Sequence, residues 1–152
     1  MIGVDTFSKE KRSQIMRRVK SKGTTPEKAV RKIINNLGMR CRLNQAAMPG
    51  KPDITLAKMK VAVFVNGCFW HRHKNCKEAP MPETNIDYWT IKFHKNVMRD
   101  KENIYKIKEG GWKAIVVWEC ETKNEKCLEN RLRTILSARM REINLSNQRH
   151  YE

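Results

Sequence analysis

Apolar residues recur at helical spacing in four stretches of the chain. The second is the clearest, because Thr24 and Glu27 have the spacing of a capping box and Pro26 falls in the first turn. The pattern predicts helices over residues 8–22, 24–38, 84–108 and 124–143. The first has only a thin apolar stripe, which is typical of a basic arm or of a surface helix. The polar tail after Asn144 is expected to fray.

Four shorter runs of alternating or β-branched residues predict strands, three between the second and third helices and one before the last. They cover residues 40–44, 53–57, 61–65 and 112–118. The order α-α-β-β-β-α-β-α indicates an α/β fold in which helices flank a mixed sheet. We expect a basic helical arm over residues 1–23, one folded domain over 24–144 and a frayed tail over 145–152.

The charge changes this picture from a fold to a set of partners. A formal net charge of +16 on 152 residues favours nucleic acid or an anionic membrane as the partner. No apolar run approaches the roughly 20 residues of a spanning helix, and the N-terminus lacks a signal-peptide core. Nucleic acid is therefore the leading partner, with a merely solvated basic surface, such as a ribosome-associated protein carries, as the alternative.

Cysteine and histidine are clustered after the third predicted strand. Five cysteines, an odd number, argue against a disulfide scaffold and favour a reducing cytoplasm. If strands three and four are neighbours, a cysteine just past the fourth strand meets the cluster at their common end. We expect a tetrahedral structural Zn²⁺ site made by Cys68, His73, Cys76 and Cys120. The alternative is unliganded cysteines and surface histidines; Cys41 is assigned to the core, and Cys127 to a helix without a nearby partner.

His71 is left over by that ligand set and is a candidate general acid or base. Asp53, held after a Gly-Pro turn at the start of a strand, is a candidate Mg²⁺ ligand. Each residue alone is also compatible with an ordinary surface histidine or an ordinary turn. Nucleases that begin with Pro-Asp usually continue with an acidic-x-Lys triplet on the next strand, but here that strand reads VAVFV. Residues 121–123 (Glu-Thr-Lys) follow a different strand and are interpreted as a polar turn.

Aromatic residues adjoin the cluster. Phe69 and Trp70 lie beside basic residues, and Trp89 lies in the first turn of the next helix. Such rings can act as apolar wedges that unstack a base step of DNA. The alternative for Trp89 is that it packs the helix onto the sheet.

Four motifs together resemble the very short patch repair (Vsr) DNA mismatch endonucleases. They are Pro-Gly-x-Pro-Asp over residues 49–53, Phe-x-x-Gly-Cys-Phe-Trp-His over 64–71, Lys-Asn-Val-x-Arg-Asp over 95–100 and the Gly-Trp to Trp-Glu-Cys segment over 111–120. The resemblance spans residues 10 to 136. It implies a restriction-endonuclease-like fold and a Mg²⁺-dependent enzyme that nicks DNA 5′ to the thymine of a T:G mismatch.

The resemblance also implies a role for individual residues. Asp53 and the main-chain carbonyl of Val65 would hold Mg²⁺, and His71 would be the catalytic histidine that acts on the attacking water. Glu27 and Asp100 would be supporting acids, although Glu27 is also explained as a capping-box residue and Asp100 as the partner of a nearby lysine. The remaining assignments are the zinc ligands given above, the aromatic wedge Phe69, Trp70 and Trp89, and the DNA-binding residues Met16, Lys95 and Asn96.

Three departures from the family pattern stand out. Val65 and Asn66 replace the usual Thr-His, so a second histidine near the water is lost, and one extra residue lies between His73 and Cys76. The residues that read the flanking base pairs cannot be matched. The resemblance implies a monomer in the bacterial cytoplasm, associated with the nucleoid, with mismatch-repair proteins such as MutL as candidate partners. The alternatives are a sequence-specific nicking or restriction-type endonuclease without mismatch preference and a non-catalytic zinc DNA-binding module.

Overall fold

Within the described part of the chain, four helices and four strands follow one another in the order that the sequence predicts. The structure, a computed structural model, describes residues 8–18 and 22–149. The helices are α1 (Lys9–Arg18), α2 (Thr25–Asn36), α3 (Ile86–Glu109) and α4 (Glu125–Gln148). The strands are β1 (Arg42–Leu43), β2 (Ile54–Leu56), β3 (Val61–Asn66) and β4 (Lys113–Trp118). Two 3₁₀ turns, Ala57–Met59 and Glu119–Lys123, follow β2 and β4.

The sheet has the order β1-β2-β3-β4, and its last pair is parallel. β1 pairs with β2 and β2 with β3 in antiparallel fashion, whereas α3 provides the connection from β3 to β4. The parallel register places Asn66 opposite Trp118. Because parallel strands end at the same edge, the loop after β3 and the 3₁₀ turn after β4 come together there. This adjacency is the condition on which the predicted metal cluster depended.

The main core lies between the sheet and the helices α2 and α4. Its helical part comes from Val30, Ile33 and Ile34 of α2 and from Leu128, Leu132 and Leu136 of α4, all buried. Thr24 accepts a hydrogen bond from the Glu27 N–H at 3.4 Å, which confirms the predicted capping of α2. Cys41 packs against this core, as expected, and Cys127 is exposed on α4. No helix within the described residues is long and apolar enough to cross a membrane.

The predicted boundaries differ from the structure mainly at the ends of the long helices. α4 extends to Gln148, so the residues from Leu145 to Gln148 are helical rather than frayed. Half-buried Ile143 packs against the core, and Ser146 Oγ donates to the Glu142 carbonyl at 2.9 Å, which supports the last turns. The first predicted helix is seen as α1, and its expected continuation over residues 19–21 lies outside the described residues.

Candidate active site and metal centre

A cleft of about 810 Å³ runs between the start of α2, the start of β2, the end of β3 and one side of α3. The residues assigned to the nuclease site from the sequence all line it: Glu27, Asp53, Val65, His71 and Asp100. Three different elements and two loops therefore bring five residues, far apart in sequence, to one surface.

Asp53 is a carboxyl group of the cleft whose pKa is raised. Its backbone N–H donates to the Val63 carbonyl at 3.0 Å, and its Oδ2 accepts the Val65 N–H at 2.7 Å. Burial raises the pKa of Asp53 from 3.8 to about 6; the Val65 N–H opposes this rise, and the nearby charge of Glu27 adds to it. A bound divalent cation would stabilise the ionised form of such a buried carboxyl group, because its charge replaces the solvation that burial removes.

His71 and Asp100 form a hydrogen-bonded pair across the cleft wall. His71 Nδ1 lies 2.5 Å from Asp100 Oδ2, and both side chains are partly buried. The carboxylate can only accept, so Nδ1 is the protonated ring nitrogen and Nε2 is left to take up or release a proton. Arg99 Nη2 lies 3.5 Å from the other Asp100 oxygen, which fixes that carboxylate further.

Glu27 performs the capping role and also reaches the cleft. Its carboxylate accepts from Thr24 Oγ1 at 3.0 Å and from the Gly23 N–H at 2.8 Å. Its charge raises the pKa of Asp53. The two interpretations of Glu27, as a capping-box residue and as a supporting acid, are therefore compatible.

Gly50 explains how the loop before Asp53 fits. Its φ of +71° is in the left-handed region, and a Cβ there would lie 2.9 Å from Asn103 Cβ and 3.0 Å from a Phe64 ring atom. Only glycine allows the loop to pass this close to α3 while it turns into Pro52 and Asp53.

The four predicted zinc ligands come together at the edge of the sheet. Cys68, His73, Cys76 and Cys120 each offer one ligand atom, and these atoms all lie within 4.8 Å of one another. His73 Nδ1 is 3.4 Å from Cys120 Sγ and 3.6 Å from Cys68 Sγ. In a tetrahedral zinc site, metal–ligand bonds of about 2.0 and 2.3 Å place a nitrogen about 3.6 Å from a sulfur. The arrangement therefore has the geometry that a tetrahedral metal site needs, in which Nδ1 would be the histidine ligand atom.

Burial changes the pKa of two of these thiols. Burial raises the pKa of Cys68 to about 12 and also raises the pKa of Cys120. Without a cation these thiols would stay neutral, and a bound divalent metal would deprotonate them. Within the described residues all cysteines are free, so no disulfide competes for these sulfurs.

The same loop separates the metal ligands from His71. The His73 N–H donates to the Cys68 carbonyl at 3.0 Å, and the His71 N–H donates to the Gly67 carbonyl at 3.1 Å. Arg72, between the two histidines, has a φ of +55°, which reverses the chain locally. As a result, one imidazole turns to the thiols and the other to Asp100.

The aromatic residues form one packed cluster. Phe69 contacts Trp70, Trp89 and Phe93 edge to face, with ring centroids 5.1 to 5.5 Å apart. Trp89 is buried, 3% exposed, and stacks on Phe93. Its Nε1 is a buried polar atom without a hydrogen-bond partner among the described residues. Trp70 lines the cleft. Trp89 thus packs α3 against the aromatic residues of the loop after β3, whereas the alternative considered for it was packing onto the sheet.

The basic and polar residues of α3 that line the cleft include ones that the sequence did not single out. Lys92, Asn96, Arg99 and Asn103 recur at helical spacing along that wall. Lys92 Nζ lies 3.6 Å from Met16 Sδ and over the rings of Trp70, Trp89 and Tyr88 at 5.5 to 5.7 Å. Asn96 donates to the Trp70 carbonyl at 3.1 Å. Lys95 is exposed and is not one of the cleft-lining residues.

Glu119 is a second residue that the sequence did not single out. It follows β4 directly, and its carboxylate lies beside Gly67 on the cleft wall. Its position beside the end of β3 could have been anticipated only from the sheet order, since β4 runs parallel to β3 and ends next to it. Asn66, which stands where the family pattern has histidine, also lines the cleft.

The fold is similar to that of a solved endonuclease domain. The solved structure titled "Homing Endonuclease I-Bth0305I Catalytic Domain" matches with a TM-score of 0.55 at 17% sequence identity, over 77% of this chain and 98% of that chain. In this chain Asp53 lies directly before β2, and the Cys/His cluster lies at the edge where β3 and β4 end.

Comparison of sequences then identifies the family. The family described as "DNA mismatch endonuclease Vsr" matches residues 4–78. The type II nicking enzyme V.XorIIP of Xanthomonas oryzae pv. oryzae is 42% identical over 132 residues, 87% of this chain and 96% of its own. V.NmeAIP of Neisseria meningitidis serogroup A, also a type II nicking enzyme, is 43% identical over 87% and 94% of the two chains. The DNA mismatch endonuclease Vsr of Escherichia coli K12 is 34% identical over 82% and 79%.

The chain belongs to the Vsr family of DNA mismatch endonucleases. It is therefore a DNA endonuclease, DNA is its substrate, and the family implies a divalent metal ion.

Proposed function

We propose that this protein is a Mg²⁺-dependent endonuclease that nicks one DNA strand 5′ to the thymine of a T:G mismatch. The observation that carries the proposal is the meeting of Asp53 with the His71–Asp100 pair in a single cleft. The Escherichia coli relative, whose printed name is DNA mismatch endonuclease, supports the mismatch as the target.

Asp53 and the main-chain carbonyl of Val65 would hold the magnesium ion. Both residues line the cleft, and carboxylate and carbonyl oxygens are the ligands that Mg²⁺ prefers. When bound there, the ion neutralises negative charge that develops on the scissile phosphate. The buried carboxyl of Asp53, with its pKa raised to about 6, fits this role because the cation favours the ionised form.

His71 moves the proton of the reaction. Its Nδ1–H is held by Asp100, so Nε2 accepts a proton from the attacking water or returns one to the leaving oxygen. Asp100 keeps the ring in the correct orientation and tautomer, as the carboxylate does in other acid–base pairs. Glu27 adds negative charge beside Asp53, which strengthens the attraction of this site for a cation.

The Cys/His cluster would hold zinc as a structural ion. Three thiols and one imidazole form a closed donor set, which is typical of a structural rather than a catalytic zinc site. The ion would fix the loop that carries Phe69, Trp70 and His71, and in this way the metal centre would support the cleft without taking part in the chemistry.

The aromatic cluster and the basic wall of α3 would contact the duplex beside the mismatch. Trp70 already lines the cleft, whereas Trp89 is enclosed by Phe69 and Phe93. A wedge that uses all three predicted rings, Phe69, Trp70 and Trp89, therefore requires the cluster to open on DNA. Met16 and Asn96 line the same cleft, and Lys95 lies on the exposed side of α3.

Three further properties stay predictions. We expect the protein to act as a monomer, to work in the cytoplasm near the nucleoid, and to respond to mismatch-repair proteins such as MutL.

A second candidate function is sequence-specific nicking without preference for a mismatch. It is favoured by the names of two close relatives, which are called type II nicking enzymes. Asn66 in place of a second histidine also changes the cleft near His71 relative to the family pattern.

One experiment separates these functions. The full chain is incubated with labelled duplexes that differ only in one T:G or T:A pair, in Mg²⁺ or in EDTA. Nicking confined to T:G in Mg²⁺ supports the proposal, and equal nicking of both duplexes supports the second function. Tight binding without any cleavage in Mg²⁺, across many sequence contexts, would contradict both and leave a DNA-binding module.

A further inference from the structure

Trp118, the last residue of β4, stacks on the imidazole of His73. The ring centroids lie 4.3 Å apart, and the planes are inclined by only 6°. Since His73 Nδ1 faces the thiols of Cys120 and Cys68, the indole lies along the ring that must present that atom. The stack holds the plane of the imidazole and thereby the direction of Nδ1.

Glu121 ties the end of β4 to the turn that follows. Its Oε2 accepts a hydrogen bond from the Trp118 N–H at 2.8 Å. Trp118 directly precedes the turn Glu119–Lys123, which contains Glu121. Thr122 Oγ1 also donates to the Glu119 carbonyl at 2.7 Å. Cys120 is thus enclosed in a short turn whose two ends are bonded to each other.

Arg131 anchors this turn to α4. Its Nη1 donates to both Glu121 oxygens, at 2.9 and 3.1 Å, and its Nη2 donates to the Val116 carbonyl at 3.1 Å. The guanidinium therefore joins a helix, a strand and the 3₁₀ turn. A planar fork that reaches a carboxylate and a carbonyl together gives a fixed orientation that a single ion pair does not.

We infer that Glu121 and Arg131 are positioning residues for the Cys/His metal centre. Through the Trp118 N–H they hold the indole on His73, and through the turn they hold the Cys120 thiol opposite Nδ1. The inference rests on the proposed metal centre, of which Cys120 is the ligand supplied from outside the Cys68–Cys76 loop. Residues behind the ligands of a metal site commonly change metal affinity by about 10 to 100-fold when they are replaced.

A purely structural role would make the same contacts stabilise the fold without affecting the metal. The chain offers a matched control for this difference. Arg133, on the same helix, forms an i,i+4 ion pair with Glu129 at 2.5 Å, and among the described residues neither side chain is seen hydrogen-bonded to β4 or to the 3₁₀ turn. Replacing either arginine removes one arginine–glutamate interaction of α4. Only the interaction of Arg131 is connected to the turn that carries Cys120.

The test uses the full chain loaded with Co²⁺, whose visible absorption reports tetrahedral thiolate ligation, and follows metal loss to a chelator. Glu121→Gln and Arg131→Met are expected to speed the loss about 10-fold or more and to weaken the absorption, whereas Arg133→Met behaves as wild type. Arg131→Lys, which keeps the charge but not the fork, is expected to lie between.

Two further measurements keep the test decisive. Trp118→Leu, which retains the backbone N–H, is expected to speed metal loss as well, and thermal unfolding in EDTA shows that each variant folds. The positioning role would be overturned if the folded Glu121 and Arg131 variants lost Co²⁺ no faster than wild type. It would also be overturned if Arg133→Met lost Co²⁺ as fast as those variants. Wild-type protein that gives no tetrahedral Co²⁺ spectrum would instead overturn the metal centre itself, and with it this inference.

Discussion

The Nδ1 atom of His71 lies 2.5 Å from Oδ2 of Asp100, although the two residues come from a loop after β3 and from the middle of α3. In the proposed mechanism this pair would determine which ring nitrogen moves a proton, and His71 lines the cleft that also contains Asp53.

His71→Ala is expected to abolish nicking, with a loss of about 10³-fold or more, because no other imidazole lines the cleft among the described residues. Asp100→Asn keeps the shape but weakens control of the tautomer, and we expect a smaller loss of about 10²-fold or more. Single-turnover nicking measured beside DNA affinity tests both. Wild-type rates in either variant would exclude the pair from the chemistry.

Asp53 gives a prediction in which the sign depends on pH. Its pKa is raised from 3.8 to about 6, so in metal-free protein the native state binds the proton more tightly and loses stability as pH rises through that window. Asp53→Asn does not ionise. In EDTA at pH 8 it should therefore melt a few degrees above wild type, and the difference should disappear toward pH 4.

Magnesium should reverse this order. The ion stabilises the ionised carboxylate, so wild type gains thermal stability on addition of Mg²⁺ and Asp53→Asn does not. For the same reason the nicking rate should fall as pH drops through about 6, and a higher Mg²⁺ concentration should move that fall to lower pH. If Mg²⁺ did not change the melting temperature of wild type at pH 8, the assignment of Asp53 as a Mg²⁺ ligand would be contradicted.

The metal centre predicts that two cysteines behave differently. Cys120→Ser removes one of four ligands and is expected to lower the bound zinc and to destabilise the fold by several degrees of melting temperature. Cys127→Ser is the matched control, because Cys127 is exposed on α4 and lies outside the cluster. Elemental analysis of purified protein measures the difference. Unchanged zinc in Cys120→Ser would refute the four-ligand site.

Much of the site could be predicted from the sequence, because several of its residues lie close together along the chain. Cys68, His73 and Cys76 are close along the chain, and Glu27 sits in a capping box whose spacing is visible. Cys120 required one topological assumption, that β3 and β4 are neighbours, and the parallel register confirms it.

Other features depend on tertiary packing and are invisible in the pattern. Lys92 and Glu119 reach the cleft because of the angle of α3 and the direction in which β4 ends, and the sequence does not contain either quantity. The burial of Trp89 follows from the cluster that Phe69 and Phe93 complete. The extra helical turn of α4 arises from the contact of Ile143 with the core, which outweighs the polar composition of the tail.

The net charge of +16 predicts a steep dependence of DNA affinity on salt. If about six phosphates are neutralised, affinity should fall about 10³-fold between about 50 and 200 mM salt, because each contact releases counterions. Lys92→Ala, which lies in the cleft, should reduce the slope of log affinity against log salt by about one. Lys58→Ala, which removes an exposed lysine from the 3₁₀ turn at the opposite end of β3, should leave the slope unchanged. A nearly flat salt dependence would show that this surface is not the DNA footprint.

The most direct measurement of the proposed activity is the position of the nick. A duplex with one T:G pair, labelled on each strand in turn, is cut by the full chain in Mg²⁺, and the products are resolved to single nucleotides. We predict one product, from the thymine strand, that ends immediately 5′ to the mispaired thymine and is absent with Asp53→Ala. Cleavage of both strands, or the same nick in a T:A duplex, would contradict mismatch-directed nicking.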